Sequence, residues 1–241
     1  MSSILLIGKD LPDSLELAES LAASGRTVFG IAKSEAEAVN FASENIFAAT
    51  WNKSSAVSAH SVLIKAETKC EKINGVLFYF DASYFCSKFE LDKTEEISTA
   101  VDMMINSYLY ASNELLKRID QLKENIQVAF LVKQYPSKIE MLSSKAQVSV
   151  PASGIVNTAQ SAFISIAENF ATNVADRQYL SVMLAECNIT NELYKNEKLI
   201  GDWISAGLTS IKAMKSPQTV KQAVTWNKVG GKVQTGFSLF R

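Results

Sequence analysis

The chain has 241 residues, 47% hydrophobic and 20% charged, an ordinary size and balance for one α/β domain with a sizeable core. A net charge of −1 leaves no electrostatic footprint for nucleic acid and no polybasic patch for a membrane surface. No apolar run approaches the ~18–20 residues that span a bilayer, and Ser3–Gly8 is too short for a signal-peptide core. Cys70, Cys86 and Cys187 are odd in number and widely spaced, and His60 is the single histidine. A disulfide framework and an imidazole-rich metal site are therefore poor readings, and a cytoplasmic protein with reduced thiols is expected.

Strand and helix patterns alternate from the start. Ile4–Ile7 is an apolar run ending in Gly8, as expected of a strand buried on both faces. Helical spacing follows over about 12–24 and stops at Gly25. Thr27–Ala32 is a second strand, and Ser34 with Glu37 opens a short helix to about Ser43. Ile46–Thr50 is a third strand, followed by a helix to about Lys72 and a fourth strand over Gly75–Phe80. A long helix is expected over 94–123, with Ile97, Val101, Met104, Tyr108, Ala111 and Leu115 on one face. Then come a strand at Ile126–Val132, a helix at Gly154–Val174 and a strand at Leu180–Leu184. One or two lid-like helices over 190–215, a helical turn at Thr219–Thr225 and a last strand at Val233–Phe240 complete the chain. Strands separated by helices imply right-handed βαβ units in a parallel, doubly wound sheet. With no repeats or linkers, residues 1–241 form one domain.

Seven strands, long helices after the fourth and fifth, and a glycine-led end (Gly231–Phe240) resemble the short-chain dehydrogenase/reductase family over roughly residues 3–240. The resemblance implies a Rossmann-like sheet of order 3-2-1-4-5-6-7. It also implies a set of functional positions, most of which hold the wrong residues here.

The family's Gly-x-x-x-Gly-x-Gly turn cradles a pyrophosphate on backbone N–H groups and a helix N-terminus. Here Gly8 stands, but Pro12 and Ser14 take the other two glycine places. Proline removes a donor, and serine adds a side chain where backbone must approach the ligand. Asp10 and Asp13, spaced like a capping box, supply the helix start with its own anions. At the cofactor-selecting place after the second strand, Lys33 would favour NADP; otherwise it is a solvated lysine before the N-cap Ser34. The aligned central helix puts Val156 in the catalytic tyrosine place and Gln160 in the lysine place, and neither exchanges protons. Met104 falls where an asparagine belongs. The turn after the fourth strand reads Phe80–Asp81–Ala82–Ser83, with Asp81 and Ser83 its polar residues.

Candidates for displaced catalysis are Ser143 and Ser144, which follow about ten extra residues in the 135–152 region. Tyr84 with Lys88 and Tyr194 with Lys198 also match Tyr-x-x-x-Lys, a spacing expected about once by chance in this chain. Gly8, Lys33 and Asp81 are the candidate cofactor contacts. His60 reads as a solvated helix residue and the cysteines as small core residues.

The resulting expectation is a catalytically inactive homologue, without cofactor, that works by binding. The resemblance implies a homodimer or homotetramer through the helices at 94–123 and 154–174, where Met103, Ile105, Leu109, Tyr110 and Phe170 lie beyond one core-facing stripe. The alternative for those residues is that they cover the sheet and each other. An active paralogue is a further candidate partner. The alternative function is an NAD(P)-dependent oxidoreductase with displaced catalytic residues, binding NADP(H) or NAD(H).

Overall fold

The computed structural model describes residues 2–89, 94–143, 152–213 and 218–234. Seven parallel strands form one sheet in the order β3-β2-β1-β4-β5-β6-β7. They are β1 (Ser2–Ile7), β2 (Arg26–Ala32), β3 (Ile46–Thr50), β4 (Gly75–Asp81), β5 (Ile126–Gln134), β6 (Leu180–Asn188) and β7 (Trp226–Lys228). The helices between them are α1 (Leu15–Ala23), α2 (Glu35–Asn40), α3 (Ala56–Cys70), α4 (Ala82–Lys88), α5 (Thr94–Val101), α6 (Ser107–Leu122), α7 (Lys138–Ser143), α8 (Gly154–Val174), α9 (Glu197–Lys212) and α10 (Val220–Ala223).

The strand period of two splits each strand between two cores. Leu5 and Ile7 of β1 face a core built with α3, α6 and α8, where Phe78 stacks on Phe130 at 4.6 Å between ring centroids. Ile4 and Leu6 face the opposite core with Leu17 and Leu21 of α1 and Ile200, Ile204 and Leu208 of α9. Both faces are covered, which is why the central strands carry near-continuous apolar runs.

Three expectations need correction. The helix expected over 94–123 is divided by a π-helical turn at Asp102–Asn106. Ala100, Met104 and Tyr108, all buried, are spaced by four twice in succession, which would drift off the face of a regular α-helix. The wider turn absorbs that drift. The first helix begins at Leu15, not near Pro12, because the chain from Gly8 to Ser14 is folded as a loop. The 190–215 region holds one helix, α9, as the lower of the two expected numbers. The last strand is Trp226–Lys228; of the Val233–Phe240 expectation, Val233 and Gln234 are not strand and the rest lies outside the described residues. Val233 instead packs on the α1–α9 core, and the Gln234 amide donates to Asn227 at 2.8 Å.

Candidate functional site at the carboxyl edge of the sheet

The carboxyl ends of β1, β4, β5 and β6 meet where an open α/β sheet binds its ligands. In this chain the chain's own side chains occupy that place. Gly8 has φ +133°, and a Cβ there would stand 1.9 Å from the Tyr79 carbonyl oxygen and 2.6 Å from the Tyr108 hydroxyl. The loop that follows turns toward β2. The Leu11 amide donates to Ile31 O at 2.7 Å, forming an isolated bridge with Ala32. The Leu11 side chain is fully buried in the α1–α9 core, over the bare Cα of Gly30. Two amides at the start of α1 are already used, since Ser14 N donates to Asp10 O and Leu15 N to Pro12 O. Little of an anion cradle is left.

The two aspartates do not cap α1 as their spacing suggested. Ser14 is the N-cap residue and makes no side-chain capping bond. Asp10 instead receives Lys53 Nζ at 2.7 and 2.8 Å; both side chains are buried, and Lys53 also donates to Gly8 O at 3.3 Å. Asp13 pairs with Lys33 at 2.7 Å and accepts from the Tyr84 hydroxyl at 3.1 Å.

Behind this loop lies a charge network with as many cations as anions. Asp81 takes Lys133 at 3.0 Å and Lys9 at 3.3 Å, and Glu197 from the first turn of α9 takes Lys9 as well, with Lys133 at 3.6 Å. The side chains are 2% (Asp81), 7% (Lys133), 9% (Glu197) and 11% (Lys9) exposed. The Tyr79 hydroxyl donates to this pair of carboxylates, 2.8 Å from Glu197 and 3.1 Å from Asp81. Asp81 also caps α4, accepting from Ser83 Oγ at 2.7 Å and Tyr84 N at 3.2 Å. Burial raises the Asp81 carboxyl, but Lys133 and Lys9 outweigh it and hold the group below its ordinary value. Burial likewise lowers the Lys9 ammonium, yet Glu197 and Asp81 carry it above the usual lysine value.

These shifts fix a pH dependence. The Asp81 contribution to stability is in place above the ordinary carboxylate value of 3.8 and is lost as pH falls through the depressed folded value. The Lys9 contribution is complete below the ordinary 10.5 and is lost as pH rises through the raised folded value. Melting temperature should therefore be flat from about pH 4 to 10 as far as this network decides it, and fall outside that window. An acid limb that does not change on Asp81→Asn would show that other groups set it.

The two Tyr-x-x-x-Lys matches are not hydroxyl–ammonium pairs. Lys88 lies over the Tyr84 ring, 4.2 Å from its centroid, while the Tyr84 hydroxyl points to Asp13. Burial, then Asp13 and Asp10, push the Tyr84 phenol well above its ordinary value. Tyr194 is buried with its ring 4.8 Å from Lys133 Nζ, whereas Lys198 is exposed. Burial raises the Tyr194 phenol strongly. Ser143 ends α7, and Ser144 lies outside the described residues. Val156 is buried, and Gln160 Oε1 accepts from the Tyr135 amide at 3.0 Å. Asn106 donates to Asp102 at 2.8 Å. His60 sits on an exposed helix face beside Glu114, at 2.6 Å. Cys187 is buried, its thiol pushed up to about 11 chiefly by burial; Cys70 and Cys86 are half-buried. Among the described residues no group of three or more His, Cys, Asp or Glu could hold a metal, and no helix is long and apolar enough to cross a membrane.

Strand order, helix placement and the site at the β1–β4 crossover give the comparison with solved structures its meaning. The fold is that of the short-chain dehydrogenases/reductases. A short-chain dehydrogenase from Mycobacterium smegmatis matches with a TM-score of 0.65 over 96% of this chain and 93% of its own, at 11% identity. A 3-ketoacyl-(acyl-carrier-protein) reductase from Brucella melitensis, complexed with NADH, gives 0.60 over 95% and 96%, at 13% identity. ElxO with NADP bound gives 0.57 over 92% and 88%, at 14% identity. At such identities the likeness is one of fold. No protein-family model and no curated protein matches the sequence.

Sequence reasoning singled out Gly8, Lys33 and Asp81 but missed Lys9, Lys53, Tyr79, Lys133 and Glu197. One signal was available. Asp81 and Lys133 are charged residues closing the apolar runs of β4 and β5, and Lys9 follows two residues after that of β1.

Proposed function

We propose that this chain uses the short-chain dehydrogenase/reductase fold as a binding scaffold and does not hold a dinucleotide in the usual cleft. The observation that carries this reading is the closed carboxyl edge. A pyrophosphate would meet Asp10 and Asp13 where it needs free amides. It would also have to displace Leu11 from the core and part Lys53 from Asp10. Breaking a buried ion pair by removing one partner costs roughly 3–5 kcal/mol, about 40–60% of a micromolar binding energy of about 8 kcal/mol.

Apolar surface on the long helices supports the same reading. Ile97 is 47% and Leu109 38% exposed, and Met103, Ile105, Tyr110, Leu116, Ile155 and Ile164 are only partly buried. A second copy of this chain or a paralogue of the same fold would cover them in a symmetric helix-to-helix contact.

The second reading is an NAD(P)-dependent oxidoreductase with displaced residues. It is favoured by near full-length likeness to proteins crystallised with NADH or NADP, and by Lys33 after β2. Calorimetric titration with NADH and NADPH separates the two. No heat of binding up to about 1 mM is expected for either, together with a dimer in sedimentation velocity. Micromolar affinity for one of them would overturn the scaffold reading in favour of the second, and a monomer at high concentration would remove the association part.

A further inference from the structure

A roomy open space lies at the other edge of the sheet. A cavity of about 720 Å³ sits at the amino ends of β5 and β6, between the turns that follow α3 and α6 and the end of α9. That is within the ~300–1,000 Å³ range of small-molecule sites. Its floor is built from buried residues whose polar groups are already committed. The Gln127 amide donates to Leu208 O, and Gln218 bonds both Val182 N and Val182 O at 2.8 Å, beside Ile126, Leu180 and Ile211.

The rim is different. Lys72 is held by Glu124 at 2.8 Å, but the side-chain ammonium groups of Lys123 and Lys212 have no hydrogen bond or ion pair among the described residues. Nor do the side chains of Asn125, Gln178 and Ser181, so uncommitted donors line the space. An ordinary job for such lysines is to offset helix C-terminal carbonyls, worth about half a negative charge per helix. That account suits Lys212, in the last turn of α9. Lys123 lies one residue past the last turn of α6, its backbone amide closing the helix on Ile119 O at 2.8 Å while its side chain bonds no helix carbonyl. Lys123 also adopts φ +50°, a left-handed conformation that a lysine takes at some cost. Three ammonium groups against one carboxylate leave the rim cationic.

We infer that this amino-edge cavity binds a small organic anion, its phosphate or carboxylate head held between Lys123 and Lys212 and its polar body hydrogen-bonded by Asn125, Gln178 and Ser181. The site is independent of the closed carboxyl edge and of the scaffold reading.

The test is an amide chemical-shift titration of the full chain with inorganic phosphate and, separately, with acetate. Saturable shifts confined to residues around Asn125, Gln127 and Ser181 are expected. The double variant Lys123→Gln/Lys212→Gln should weaken binding by ~10-fold or more, each lost charge counting for about fivefold near the surface. Lys65→Gln, on α3 away from the cavity, should leave it unchanged. Saturation by phosphate assigns a phosphate head, and saturation by acetate alone a carboxylate head. The inference falls if neither ion saturates, or if the double variant binds as tightly as the parent.

Discussion

Asp81→Asn is expected to destabilise the protein by about 3–5 kcal/mol, the cost of leaving buried cations short of a counter-charge. The substitution keeps the volume and the capping oxygen for Ser83 and Tyr84 but removes the charge that Lys9 and Lys133 share. Glu197 alone then faces two buried ammonium groups. For a chain of this size the melting temperature should fall by roughly 6–20 °C, at ~2–4 °C per kcal/mol. Guanidinium unfolding at pH 7 measures the free energy directly. A change under about 1 kcal/mol would mean that water, not protein, solvates the pair.

Gly8→Ala should be more severe still. The new Cβ meets backbone, the Tyr79 carbonyl at 1.9 Å, and no rotamer change relieves that clash. The positive φ adds strain of about 1–3 kcal/mol, so β1 would have to part from the end of β4. Soluble yield and melting temperature are the readouts. A variant that melts within 2–3 °C of the parent, about 1 kcal/mol on the same scale, would show that the loop has room to move. That outcome would also weaken the case for a closed cleft.

Much of the fold was legible because burial on both faces leaves its mark on each strand. β3 and α8 fall at the residues the pattern marks, for the apolar run at Ile46–Thr50 and the helical face from Val156 to Val174 leave no competing period. The misses have physical causes. β6 runs on through Glu186, Cys187 and Asn188, paired with Val132, Lys133 and Gln134 of β5, where polar residues break the apolar run that marked the strand. β7 has only three residues, Trp226–Lys228, too few to carry a period. The short helix α4 follows β4 without a break because Asp81 both ends the strand and caps the helix.

The site was legible only in what it lacks. Pro12, Ser14, Val156 and Gln160 could be compared with a pattern position by position. What fills the space could not, because the pairs that close the cleft lie 43 residues apart for Asp10 and Lys53 and 188 for Lys9 and Glu197. Local spacing even misdirects at this point. Asp10 and Asp13 are spaced as helix caps, yet each spends its charge on a lysine from another strand's end.

The network of Lys9, Asp81, Lys133 and Glu197 has a bearing on redesign. Its charges balance only as a set, so reverting any one of them toward a nucleotide site strands its partners in a dry environment. A step costing roughly 3–5 kcal/mol is large beside a total stability of 5–15 kcal/mol. An engineer who wished to install a dinucleotide site would have to change the loop, the lysines and α9 together. Intermediate sequences would tend to unfold before they bound anything. The closed cleft acts as a ratchet, easier to maintain than to reopen one residue at a time.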